Sequence, residues 1–198
     1  MQKLSVLALM LSISLSAAAK QETYIIDAGH AFPSFALSHL GFSIQRGTFD
    51  ETSGTIKFDP VAKRGSVEVT IKTASIDTGL EKRDKHLRGD EFFNVAKFPT
   101  MSFKSDTFHF EGDKLARVEG ELTLLGVTKP VSLSASHFAC GKNPMVMKLE
   151  CGAELTGTLK RSDFGMSNGI PMVGDDVEIR LEVEAIREEE GGEGAGNK

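Results

Sequence analysis

The chain contains no tryptophan and a single tyrosine, Tyr24, among its 198 residues. A β-barrel that crosses an outer membrane carries girdles of those two residue types at both interfaces. Their scarcity excludes that architecture, so the apolar face of any barrel here points inward. The thirteen phenylalanines supply nearly all of the aromatic content, and phenylalanine brings a ring without a hydrogen-bonding handle. Basic residues nowhere gather into a long stretch and the formal net charge is −5, so no nucleic-acid partner is expected. Past the N-terminus, no apolar run approaches the roughly 20 residues of a membrane-spanning helix. Cysteine is limited to Cys140 and Cys151, which lack the C-x-x-C spacing of redox or zinc sites.

What is present begins with a leader. Lys3 precedes an apolar run from Leu4 to Leu15, and Ala17 to Ala19 offer small residues to a signal peptidase. Residues 1–19 read as a cleaved signal peptide, with the periplasm as the expected location. The leader holds no cysteine to acylate. An oxidising compartment allows Cys140 and Cys151 to bond. They flank a turn signal at Asn143-Pro144, so a bridge would staple the base of a hairpin. A redox pair or a pair of metal ligands is the weaker alternative.

Short alternating runs dominate the rest. Val67 to Lys72 and Val177 to Glu184 alternate strictly between apolar and polar residues, as strands with one buried face do. Weaker versions run through 35–39, 55–58, 101–103, 118–124, 131–135 and 153–159. The expected fold is all-β, an antiparallel barrel of about eight strands. Residues 79–96 break the pattern with charges and helix formers, and read as a short helical insertion. Leu80, Leu87, Phe92 and Phe93 fall on one side of it. The domain is placed at 20–187, and the acidic, glycine-rich residues 188–198 read as a disordered tail.

Chemical motifs are weak. Gly165-Met166-Ser167-Asn168-Gly169 matches G-x-S-x-G, but Pro171 follows closely and no histidine lies downstream, contrary to a nucleophile elbow. The five histidines form no metal-binding motif. His39 shares parity with Phe35 and Leu37 and reads as a core histidine. An inward His–Asp pair such as His39 with Asp27 would be needed to support catalysis, and no enzyme, catalytic residue, metal or cofactor is expected. Glu81 to Arg88 reads chiefly as a solvated helix face with an Asp84–Arg88 pair. Arg161 shares parity with Leu155 and Leu159. Pointing inward, it needs a carboxylate or an anionic ligand.

Taken in order, several blocks resemble one family. They are His30-Ala31-Phe32 with Phe35 and His39-Leu40-Gly41, then Gly47-Thr48-Phe49. Ser75-Ile76-Asp77-Thr78 leads to Arg83-Asp84-Lys85-His86-Leu87-Arg88, Phe92-Phe93 and Phe98-Pro99. Gly120 to Leu124, Gly126 to Val131, and Arg161 to Gly165 complete the series. Together they resemble the YceI family of bacterial polyisoprenoid-binding, lipocalin-like proteins, over residues 23–186. Pro33 departs from the aliphatic residue usual there.

The resemblance implies a non-catalytic carrier. Its barrel would hold a long-chain isoprenoid or similar amphiphile: a polyprenyl phosphate, an isoprenoid quinone or a fatty amide. Membrane redox proteins and a stress response are the implied associations, and a long flat barrel could pair along its side as a homodimer. By strand parity the lining is assigned to Phe35, Leu37, Val67, Val69, Ile71, Leu122, Leu124, Val131, Leu133, Leu155 and Leu159. Phe42, Phe49, Phe93 and Phe103 are assigned as plugs or lid. Arg83, His86, Arg161 and His39 are head-group candidates. The competing reading is a filled barrel that binds a protein partner and carries no lipid.

Overall fold

The computed structural model describes residues 21–189. The leader assigned to 1–19 and tail residues 190–198 lie outside the described residues. The chain forms β1 (Glu22–Ala31), β2 (Ser34–His39), β3 (Ser43–Phe49), β4 (Thr52–Asp59), β5 (Arg64–Lys72) and β6 (Ile76–Asp77). Then follow α1 (Glu81–Leu87), β7 (Thr100–Glu111), β8 (Lys114–Leu124), β9 (Val127–Lys142), β10 (Leu149–Lys160) and β11 (Asp176–Arg187).

The strand order β1-β4-β5-β7-β8-β9-β10-β11 closes on itself because β1 also pairs with β11. All of these pairings are antiparallel. Among the described residues, the eleven strand segments make an eight-stave barrel, since three staves are broken into two pieces each. β1 continues as β2 past Phe32-Pro33, β3 continues as β4 past Asp50-Glu51, and β5 continues as β6 past a 3-10 turn at Thr73–Ser75. Proline has no N–H to give to a ladder, so the first break falls where pairing must lapse. The breaks sit at one level. The Phe49 N–H donates to the Pro33 carbonyl at 2.9 Å, and the Asp50 N–H to the Ser75 carbonyl at 3.2 Å.

Alternation missed β1, β3 and the two-residue β6, and the first two have identifiable reasons. β1 carries the adjacent apolar pair Ile25-Ile26, with Ile26 buried and Ile25 at 44% exposure. It also loops out between Ile26 and Ala31, a bulge in its register with β11. β3 (Ser43–Phe49) places exposed Arg46 and buried Gly47 where apolar residues would mark a strand. β5 and β11 form where the strict alternation lies, and β11 alternates burial along most of its length.

Turn residues follow their geometry. β8 and β9 are joined by Leu125 and Gly126 alone, both at positive φ (52° and 76°), the two-residue turn that matches strand twist. Cys140 and Cys151 face each other across β9 and β10 and are bonded, with an S–S distance of 2.02 Å. The bridge closes the base of the loop between β9 and β10, and closing a loop of that length is worth about 2–3 kcal/mol in the chain-entropy model.

The helical insertion is smaller than its sequence signal. α1 spans seven residues, and turns carry the chain from Arg88 to Pro99. Leu80 is 54% exposed, so it leaves the apolar side that Leu87, Phe92 and Phe93 share against the barrel. The expected Asp84–Arg88 pair is also absent. Asp84 is buried and accepts the backbone N–H of Thr78 at 2.9 Å. Arg88 instead reaches back to the carbonyls of Ala74 and Ile76, each at 2.9 Å. These contacts fasten the insertion over one end of the barrel.

Candidate functional site: an apolar cavity under the helical insertion

The barrel interior divides into two chambers. The upper one, beneath α1, is a cavity of about 360 Å³ that opens between β2, β3 and the insertion. The lower one holds about 100 Å³. Pro33, Phe103 and Leu181 border both, so the chambers meet at the level of the stave breaks. The far end is closed by Phe58, Phe110 and Phe138, whose ring centroids lie 5.8 Å apart in each pair. The upper wall is built by β-strand parity. Phe49, Ile71, Met101 and Leu124 are buried in one cluster, with Phe35, Leu122 and Leu159 packed against it. Gly47 is required there, because a Cβ on it would meet the Phe35 ring at 2.6 Å.

The structure sorts the residues assigned from sequence. Phe35, Leu37, Phe49, Ile71, Phe93, Phe103, Leu122, Leu124 and Leu159 border the upper chamber. Val67, Val69, Leu133 and Leu155 border only the lower one. Val131 is packed into the wall with Leu115 and Val118 and borders neither chamber. Phe42 is a clear correction. It is 91% exposed on the turn between β2 and β3, and touches no part of the cavity.

The four head-group candidates all border the upper chamber, but their hydrogen bonds separate them. Arg161 is 3% exposed. Its Nε donates to the Gly174 carbonyl at 2.8 Å and its Nη2 to that of Val173 at 2.9 Å. Its Nη1 donates to the carbonyls of Met166 and Asn168 at 3.0 and 2.9 Å. Sequence parity foresaw an inward arginine needing a carboxylate or a ligand, and four loop carbonyls meet that need instead. Burial pushes the guanidinium below its usual range. Asp175, held low chiefly by the Ser162 backbone N–H at 2.9 Å, secures the same loop. Arg83 is also engaged, with Nε on Thr78 Oγ1 and Nη2 on the Thr78 carbonyl, each at 2.7 Å, and Nη1 on Gln45. His86 faces Glu91 at 3.2 Å and meets the Phe92 ring edge-on. Among the described residues, the His39 imidazole makes no side-chain hydrogen bond, and its backbone bridges to Val173.

Sequence reasoning missed Val177, Ile179 and Leu181, which border the upper chamber from β11. Their strict alternation was visible and could have supplied them. Met166 and Val173 also border it, and they come from an irregular loop where no periodicity exists. In the lower chamber Thr52 is buried with its Oγ1 unpartnered. Tyr24 also lines this chamber, but its hydroxyl donates to Glu22 at 2.8 Å.

The structure keeps apart the groups that sequence offered for covalent chemistry. Asp27 pairs with His30 at 2.9 Å on the barrel exterior, and His39 is not its partner. Ser167 lies in the loop between a 3-10 turn and β11, and among the described residues no helix follows it. Among the described residues, no group of three or more His, Cys, Asp or Glu is arranged to hold a metal ion. No described helix is long and apolar enough to cross a membrane.

Comparison with known proteins places this architecture. Residues 24–185 match the YceI-like domain family. The Protein YceI of Salmonella arizonae is 41% identical over 185 residues, covering 92% of this chain and 95% of that protein. The crystal structure of the Campylobacter jejuni YCEI protein superposes with a TM-score of 0.66 at 34% identity, over 77% of this chain and 90% of that one. A polyisoprenoid binding domain from Saccharophagus degradans shares the fold, with a TM-score of 0.63 at 17% identity over 83% of this chain and 98% of that one. The barrel, its closing insertion and a relative at 41% identity agree, and the chain belongs to the YceI-like family.

Proposed function

We propose that this chain is a non-catalytic periplasmic binding protein that holds a long-chain isoprenoid or similar amphiphilic lipid inside the barrel. Transport, storage or protection under stress is the purpose. The observation that carries the reading is the upper chamber, about 360 Å³ of apolar-walled space opening at one end. That size is within the range of small-molecule sites. Each methylene of a bound chain removed from water contributes about 0.8 kcal/mol, so affinity comes from length rather than from directed bonds. The lower chamber extends the same path toward the Phe58, Phe110 and Phe138 plug. Of the four candidates His39 is the one left to meet a head group, since His86 faces Glu91 and the donors of Arg161 and Arg83 are largely spent inside the protein.

The test is extraction of the protein, purified from its native periplasm, with organic solvent and mass spectrometry of the extract. A stoichiometric long-chain lipid supports the reading and names the cargo. A clean extract, repeated after incubation with membrane lipids, sinks it and favours a partner-binding barrel.

A further inference from the structure

The mouth of the barrel is apolar on its outer rim as well as inside. Leu40, Gly41 and Phe42 join β2 to β3, where Phe42 is 91% exposed, Leu40 42% and Ile44 49%. Met172 is 60% exposed and stands beside them, because the Leu40 N–H donates to its carbonyl at 2.6 Å. Leu40 and Gly41 both have positive φ, 55° and 72°, and the Phe42 N–H donates to the His39 carbonyl. Turns of that form favour Asn-Gly or Asp-Gly. A leucine at positive φ is crowded against its own backbone, and neither burial nor turn geometry asks for one here.

Exposed cations lie on the strand that leaves this tip and on the insertion tied to that strand. Arg46 is exposed, and its one side-chain hydrogen bond is a long one, 3.4 Å, to the Ile44 carbonyl. Lys82 and Lys85 are exposed on α1, which Arg83 ties to Gln45 of β3. None of these three has an ion-pair partner among the described residues. Of the acids on the insertion, Asp84 is buried, Glu81 pairs with Arg88 at 3.6 Å and Glu91 with His86 at 3.2 Å, which leaves Asp90 as its exposed acid without an ion pair among the described residues. An apolar tip flanked by unpaired cations is the chemistry of a membrane-interface contact.

We propose that this rim docks on the surface of an anionic phospholipid bilayer. Leu40 and Phe42 enter the interface and Arg46, Lys82 and Lys85 lie against the headgroups, so the cavity mouth faces the membrane. The inference rests on the lipid-binding reading above, because a water-insoluble chain must be loaded from a membrane. The opposite end of the barrel also has an exposed apolar tip, with Met145 at 87% and Met147 at 62%. That tip lies beyond the phenylalanine plug, and its Lys148 pairs with Glu189 at 3.7 Å, so docking there would load nothing.

The absence of tryptophan supplies the experiment. Phe42→Trp gives the chain one reporter, and Met145→Trp, made separately, places one at the other end. With vesicles of phosphatidylglycerol and phosphatidylcholine, the reporter at position 42 shifts to the blue and is quenched by brominated acyl chains. The effect fades with added salt and with phosphatidylcholine alone, and the reporter at position 145 stays unchanged. The double variant Leu40→Asp/Phe42→Asp no longer sediments with the vesicles but still binds farnesol from solution. Unchanged emission at position 42 with farnesol binding intact overturns the docking proposal alone. So does a shift at position 145 only. A shift at position 42 that follows protein concentration without vesicles, with a dimer in sedimentation velocity, overturns it by assigning the tip to a second copy. Vesicle docking without farnesol binding keeps the docking and removes the cavity reading instead.

Discussion

The ring of Phe93 meets the ring of Phe49 edge-on, with centroids 5.4 Å apart and planes 84° apart. One ring comes from the insertion and the other from β3, so this contact joins the cover of the upper chamber to its wall. Phe93→Ala removes it. The variant is expected to lose about 2 kcal/mol of stability in urea denaturation, less than the ~3–5 kcal/mol of a fully buried phenylalanine, because Phe93 is half-buried. Its cavity gains room, so it should take up a bulkier apolar dye than the parent.

Arg161→Leu leaves the carbonyls of Met166, Asn168, Val173 and Gly174 without their donor. Unpaired buried acceptors cost about 1–3 kcal/mol each before relaxation, so the expected loss is at least ~3 kcal/mol by urea denaturation. Arg161→Lys recovers part of it. A head-group role would instead leave stability unchanged and lower affinity only for anionic lipids, an outcome that would falsify the structural assignment.

Two charged substitutions gauge how deep the cargo reaches. Leu124→Arg puts a charge in the upper chamber, and Val69→Arg puts one in the lower. Leu124→Arg is expected to abolish binding of short and long isoprenoids alike. Val69→Arg should spare farnesol and weaken a chain several times longer by more than tenfold, as read by titration calorimetry, with circular dichroism confirming that both variants fold. Equal losses for both chain lengths in Val69→Arg would mean the chambers act as one.

Thr52 carries a buried hydroxyl with no partner. Thr52→Val replaces it with a methyl of the same shape. The empty protein is expected to gain about 1 kcal/mol, since an unsatisfied buried polar group costs about that much or more. Destabilisation on substitution would reveal a hydrogen bond that the hydroxyl makes in solution.

The exposed Asp27–His30 pair predicts a modest pH dependence. The hydrogen bond from His30 holds Asp27 low, and Asp27 in turn raises His30. His30 contributes stability that is fully present below its unfolded value of about 6.5 and fades as pH rises through its raised folded value. Asp27 contributes above about 3.9, and loses that contribution as pH falls through its depressed folded value. The pair therefore acts most fully between those limits. In an NMR titration Asp27→Asn should bring the His30 midpoint down, and an unmoved midpoint would show that the pair does not persist in solution.

Much of the wall was legible because a strand that buries one face must alternate. Val67, Val69 and Ile71 on β5 and Leu122 and Leu124 on β8 point inward for that reason alone. Alternation carries no information about depth, so it could not separate the two chambers or show that Val131 is packed away from both. Phe42 misled because hydrophobicity predicts burial only where the backbone turns a residue inward, and a tight turn does not. The partners of Arg161 were illegible for another reason. They are backbone carbonyls of an irregular loop, and every residue type has one.

The three staves broken at one level have a further consequence. Above the breaks β2 and β3 hold each other by six register pairs but join the rest of the barrel by short ladders, three pairs between β2 and β11 and two between β3 and β6. An extra residue inside a continuous strand turns every following side chain to the other face. At Phe32-Pro33 and Asp50-Glu51 the regular ladder is interrupted and only single hydrogen bonds cross the gap, so an insertion is more readily absorbed there and the pleat below keeps its register. The collar around the mouth can lengthen, shorten or change its chemistry from one descendant to the next, while the body beneath is inherited unchanged.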